Sequence, residues 1–192
     1  MKYFTTVILV AATLTTLGCK KSSSVTGPGG QQGQLDLIGN SSCEQGGVPS
    51  IAGWRQSYPD TGFIHFSSDV PVNGGQYSVS LKNGWGPLPS LQAIVPAPSG
   101  THQYRISLWS KTLPLGPLVY ASGGVSIRQK APDTLIFHKW LTFSDTVWTE
   151  HMLLDTIVTK QDDSLVVSIS GGQSQWSSGQ TLFDLVRFIK LD

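Results

Sequence analysis

Apolar and polar residues alternate most regularly in Gln103–Lys111. Tyr104, Ile106 and Leu108 fall on one side, and Arg105, Ser107, Trp109 and Lys111 on the other. A period of two marks a half-buried strand. Tyr77–Leu81 repeats the pattern, with Tyr77, Val79 and Leu81 on one face and Ser78, Ser80 and Lys82 on the other. Leu35–Glu44 reads as a short strand and turn, and Phe63–Phe66, Leu91–Val95, Leu118–Ala121, Val125–Arg128 and Leu135–Phe143 as further short strands. Between them lie turn formers, among them Val70–Gly75, Gly84–Pro87, Pro96–Gly100 and Pro114–Pro117. Trp148–Thr159 and Ser164–Ser170 read as a hairpin over Gln161, Asp162 and Asp163. The run Thr181–Leu191 closes the chain as a final strand. About ten short strands at regular spacing, with no helical period, predict an all-β sandwich or barrel.

The closing strand carries one carboxylate, Asp184, among Phe183, Leu185, Val186 and Phe188. A charge in that setting is costly unless it is paired, hydrogen-bonded or bound to a metal. Three readings stay open: a turn cap, a pair with Arg187 or Lys190, and a ligand of a structural ion.

Composition narrows the class. Of 192 residues only 13% are charged, against roughly 25% in ordinary globular chains. Gly (21) and Pro (11) are plentiful, which suits an extracytoplasmic β-protein rich in turns. The net charge of +1 supplies no basic footprint for nucleic acid. The apolar share is 39%, below average, but six Trp and seven Phe each bury a large area.

The first residues read as an address. Lys2 is a short positive region, Val7–Leu17 is apolar and threonine-rich, and the stretch is too short to span a bilayer. Ending on Gly18-Cys19, it resembles a bacterial lipoprotein signal, with Thr16 where that family usually has Leu. The resemblance implies cleavage after residue 18, lipid on Cys19 and, with Lys20 next, an outer-membrane or cell-surface address. Residues 19–34 are polar and rich in Gly and Ser, a flexible tether. With Cys19 lipidated, Cys43 has no disulfide partner; without lipid, a Cys19–Cys43 bridge is conceivable.

The order of pieces carries a second resemblance. Asn40-Ser-Ser-Cys-Glu44 precedes Gly53-Trp54. Gly74-Gly-Gln-Tyr-Ser-Val-Ser-Leu81, Leu91-Gln92, Tyr104–Lys111, Trp148 and Asp163–Gly171 follow, and Phe183-Asp184-Leu-Val186 closes. This resembles the galactose-binding-like jelly roll of carbohydrate-binding modules of the family 4 and 9 type, whose pattern opens N-x-x-F-E … G-W and closes F-D-D-V. Cys43 stands where that family has Phe, and Leu185 where it has a second Asp. The resemblance implies a jelly-roll β-sandwich of two antiparallel sheets over residues 35–192. It also implies a structural Ca2+ held by Glu44, Asp184 and the backbone near Gly75 and Gln76, since oxygen donors suit a hard cation.

A glycan or glycoconjugate is the expected partner, on a surface formed by Trp109, Arg105, Trp85 and Trp176. Aromatic rings meet the CH faces of sugars, and Arg and Ser meet hydroxyls. Trp54, Trp140 and Trp148 are expected in the core. The only glutamates are Glu44 and Glu150, His65, His102, His138 and His151 form no spaced ligand set, and no G-x-S-x-G elbow occurs. The expectation is therefore a non-catalytic, monomeric envelope lipoprotein that binds carbohydrate. A structural or protein-interaction module without a sugar ligand is the alternative.

Overall fold

The structure, a computed structural model, describes residues 34–57, 61–83, 90–116, 121–132, 134–172 and 179–192. All of these lie in the unit Gly33–Asp192. The expectations for Cys19, Trp85 and Trp176 fall outside the described residues.

Most of the strands read from the sequence are present, with three short ones added near the start; of Leu118–Ala121, also read as a strand, residues 118–120 fall outside the described residues. The strands are β1 (Glu44–Gln45), β2 (Val48–Pro49), β3 (Arg55–Gln56), β4 (Ile64–Ser67), β5 (Ser78–Asn83), β6 (Ser90–Pro96), β7 (Gly100–Pro114), β8 (Gly123–Ala131), β9 (Thr134–Phe143), β10 (Thr149–Thr159), β11 (Ser164–Gly171) and β12 (Gly179–Lys190). Sheet I has the order β10-β7-β12-β5-β4 and sheet II the order β3-β6-β11-β8-β9, with every pairing antiparallel. β1 and β2 form a small ribbon of their own. Residues one apart point to opposite faces, so each sheet offers one face to its partner. Sheet I turns inward Val79, Leu81, Tyr104, Ile106, Leu108, Phe183 and Phe188; sheet II turns inward Leu91, Val95, Val125, Ile127, Leu165, Val167 and Ile169. The rings of Tyr104 and Phe188 stack with centroids 5.1 Å apart, and Phe143 meets Phe183 edge-on at 5.8 Å. Such aromatic pairs stabilise by about 0.5–1.5 kcal/mol beyond their buried area. The result is the jelly-roll sandwich expected.

Two local expectations are corrected. β10 and β11 are not a hairpin: β10 pairs with β7 in sheet I, and β11 pairs with β6 and β8 in sheet II. The turn between them is tight, with Asp162 at φ 71° and Asp163 bonded to the Lys160 amide at 2.6 Å. It hands the chain from one sheet to the other, and the Ala97 amide donates to the Asp163 carbonyl. A turn reverses direction; whether its arms pair depends on where each arm's apolar face must go. Of Leu35–Glu44, read as a short strand and turn, the turn is there, but the strand is reduced to one isolated bridge, Asp36 to Ile189.

Candidate functional site

The site begins with a fault in β12. Its register against β7 shifts between Asp184 and Arg187, and Leu185 takes φ 50°. A bulge of this kind re-aims the strand. Before it, β12 pairs with β5 through Phe183. After it, the opening segment takes over: Val186 N donates to Ser41 O at 2.8 Å, Phe188 N to Asp36 Oδ1 at 3.1 Å, and Leu37 N to Phe188 O at 2.7 Å. Asn40 then organises the turns that follow. Its amide donates to the Ser50 and Ala52 carbonyls, its Oδ1 accepts from the Glu44 amide, and its own carbonyl accepts from the Trp54 indole at 2.8 Å. These bonds bring Glu44 to Asp184, as the resemblance implied.

Between the two acids lies the backbone of Gly74 and Gly75. A Cβ at Gly74 would press on Asp184 Oδ2, and one at Gly75 would overlap Glu44 Oε1. Glu44 Oε2 accepts from the Gln76 amide (2.8 Å) and the Tyr77 amide (3.0 Å). Asp184 is fully buried; Oδ1 accepts from the Leu185 amide at 2.7 Å, while Oδ2 makes no well-formed hydrogen bond and the Gly75 amide pulls on the carboxylate only weakly. Burial pushes the Asp184 carboxyl up to about 7, against the pull of the Leu185 amide, and the charge of Glu44 adds to the rise. Two acids and a glycine cradle around an under-bonded, buried carboxylate oxygen fit an oxygen-loving divalent cation. Among the described residues no group of three or more His, Cys, Asp or Glu side chains converges, so backbone carbonyls would complete any such shell. Cys43, next to Glu44, is fully buried, and burial pushes its thiol up to about 12, with Asp184 and Glu44 adding; it takes the core position expected of it.

Trp109 and Arg105 lie, as read, on the outer face of sheet I. Trp109 is half-buried between Glu150 on β10 and Asp184 on β12. Arg105 stands between Leu154 and Ile189 and donates from Nη2 to Gln34 Oε1 at 3.5 Å. Trp54 is buried in the core as expected. Trp148 is only half-buried and donates to Asp69 Oδ1 at 2.8 Å. Trp140 corrects the expectation outright: it is 47% exposed.

Trp140 belongs to a surface that reading of the sequence missed, the outer face of sheet II. It sits in register with Ser126, and its six-membered ring occupies the space that a Gly124 side chain would need. Phe137, 58% exposed, lies in register with Arg128 on the same face. Both aromatics point outward because β9 slips by one residue at His138, against the gap between Ile127 and Arg128. Across the sheet follow Ser168 and Val166 on β11, Gln92 and Ile94 on β6, and Arg55 on β3. Arg128 Nη2 donates to Ser168 Oγ at 2.7 Å. The signal in the sequence was the run of small outward residues, Gly124, Ser126 and Ser168, which leaves room for a large neighbour.

No protein-family profile matches the chain, and no curated protein matches it by sequence. Solved structures do. A family 61 carbohydrate-binding module in complex with β-1,4-galactotriose matches with a TM-score of 0.56 at 15% identity, over 82% of this chain and 99% of that one. A family 4 module matches at 0.55 and 18%, over 80% and 99%. The CBM22-1 xylan-binding domain from Paenibacillus barcinonensis matches at 0.52 and 13%, over 79% and 92%. The chain has the jelly-roll fold of carbohydrate-binding modules. At such identities the likeness speaks for the fold, and the ligand must be argued from this chain's own side chains.

Proposed function

We propose that this chain is a non-catalytic carbohydrate-binding module whose ligand lies on the outer face of sheet II. The observation that carries the reading is Trp140, seated on Gly124 and nearly half exposed beside Ser126, at one end of a row of outward residues that continues through Ser168 to Gln92, with Arg128 adjoining. An exposed indole beside hydrogen-bonding groups is a surface on which a pyranose stacks while its hydroxyls find partners. The test is affinity electrophoresis of Trp140→Ala through gels holding a panel of polysaccharides. Loss of retardation with an unchanged fold is expected; retardation equal to the parent protein would remove this face from the site.

Trp109 with Arg105, on the opposite outer face, supports a second reading of where sugar binds, and Trp109→Ala run on the same gels decides between the faces. Glu44 and Asp184 are proposed to hold Ca2+, with the carbonyls near Gly75 and Gln76 completing the shell. When bound, the ion would neutralise the buried acids and pin the opening segment to the last strand. Lipid on Cys19 is proposed to hold the module at the outer membrane or cell surface.

A further inference from the structure

The five strands of sheet II contain Arg55, Arg128, Lys130 and Lys139 and no Asp or Glu. Sheet I, by contrast, mixes both signs in its strands, with Glu150, Asp155 and Asp184 beside Lys82, Arg105, Lys111, Arg187 and Lys190. The imbalance is concentrated where the proposed ligand lies. Arg55, Arg128 and Lys130 all occupy outward positions, because the residues next to them in sequence or register point into the core. Arg128 is the central one. It is half-buried, it lies between Phe137 and Val166, and it is held from the side by Ser168. Among the described residues no ion pair reaches it. A guanidinium held in place without an acid is a preformed fork for a carboxylate or a sulfate.

From these observations we infer that the sugar ligand is acidic, a polysaccharide bearing carboxylates or sulfate esters, with Arg128 binding the anionic group. The inference rests on the proposed glycan face. Trp140 lies in register with Ser126, and Arg128, two residues on along β8, reaches across to Ser168, which is also in register with Ser126, so the indole and the guanidinium serve neighbouring positions of one face. A ring stacked on Trp140 thus presents its anionic substituent, or that of its neighbour, to Arg128. Arg55 and Lys130 flank this centre and add long-range attraction that salt would screen.

The experiment compares matched polymers, with the full chain in detergent. Polygalacturonate is set against its methyl ester, and a sulfated galactan against the same galactan desulfated; polyglutamate controls for charge alone. The expected result is retention of an acidic polysaccharide at least ~10-fold stronger than of its neutral counterpart, weakening with salt. The pair that shows the preference names the anion. Arg128→Gln should abolish the preference while leaving weak retention of the neutral polymer, and Arg128→Lys should restore part of it. Equal retention of acidic and neutral polymers, both lost in Trp140→Ala, would overturn the acidic ligand and leave the carbohydrate face standing. Retention of polyglutamate equal to that of polygalacturonate would also overturn it. If no polysaccharide is retained, or if Trp140→Ala changes nothing, the glycan face itself fails.

Discussion

The benzo ring of Trp140 stands directly over the Cα of Gly124, in the space a side chain there would fill. The small residue on β8 and the large one on β9 form a single unit: without the glycine, the indole cannot lie where it does. The contact that an added methyl would disturb is a side chain at the surface, not backbone or core. Gly124→Ala is therefore expected to leave the melting temperature within roughly 4 °C of the parent, about 1–2 kcal/mol for a domain of this size. It should weaken polysaccharide retention by ~10-fold, about 1.4 kcal/mol. Full retention with the methyl in place would show that the ring's seat does not matter.

A second glycine sets up the ion test. A Cβ at Gly75 would overlap Glu44 Oε1 and push that carboxylate away from Asp184. Calcium at about 100 times its dissociation constant should stabilise the parent protein by ~2.7 kcal/mol, a rise of roughly 5–10 °C that a chelator reverses. Gly75→Ala and Asp184→Asn should melt at the same temperature with or without calcium. A parent protein indifferent to chelator would leave the two acids as a buried polar contact and nothing more.

The pH dependence of the same site has a definite sign. The folded state holds the Asp184 carboxyl at about 7, above its ordinary 3.8, because of burial and then, against the Leu185 amide, the charge of Glu44. The folded form thus binds this proton more tightly than the unfolded form does. Stability from that proton is fully present below about 4 and is lost as pH rises through 7. In chelator, the parent should lose stability relative to Asp184→Asn across that window. Calcium, which competes with the proton, should narrow the difference most at the upper end. The measurement is paired thermal melts from pH 4 to 8; curves that stay parallel would contradict it.

Period-two patterning was enough to place β5 and β7, and apolar runs to place β6 and β12, because their apolar faces meet one core. Glu44 and Asp184 were legible too, because a lone acid in an apolar strand demands a partner and the order of the motifs named one. Other features depended on long-range geometry. The bulge at Leu185 is set by the switch of partner from β5 to residues 36–41, which no local pattern encodes. The slip at His138 reverses which β9 residues face out, so Trp140, read as core, emerges beside Gly124. The edge position of β9 was equally hidden, since strand order is set by pairings distant in sequence.

The last prediction concerns His151, which lies on β10 far along the chain from either acid of the ion site. Its ring stacks on Phe143 with centroids 4.4 Å apart, and its Nε2 lies 3.3 Å from Asp145 Oδ2. Asp145 favours the charged imidazolium, but burial against Phe143 outweighs it and holds the ring below its ordinary 6.5. A histidine lowered on folding works in the opposite sense to Asp184. The unfolded chain takes up the proton first, so the stability it confers is present above 6.5 and is lost as pH falls through the lower folded value. In the parent the two slopes partly cancel, which would hide both in a single melt series. His151→Gln should remove only the acid-side loss, so that the variant's stability falls less than the parent's between pH 6.5 and 5 while its calcium response is intact. If the variant and parent lose stability equally over that interval, His151 is charged in the fold and the Asp145 contact is an ion pair instead of a tolerated neighbour.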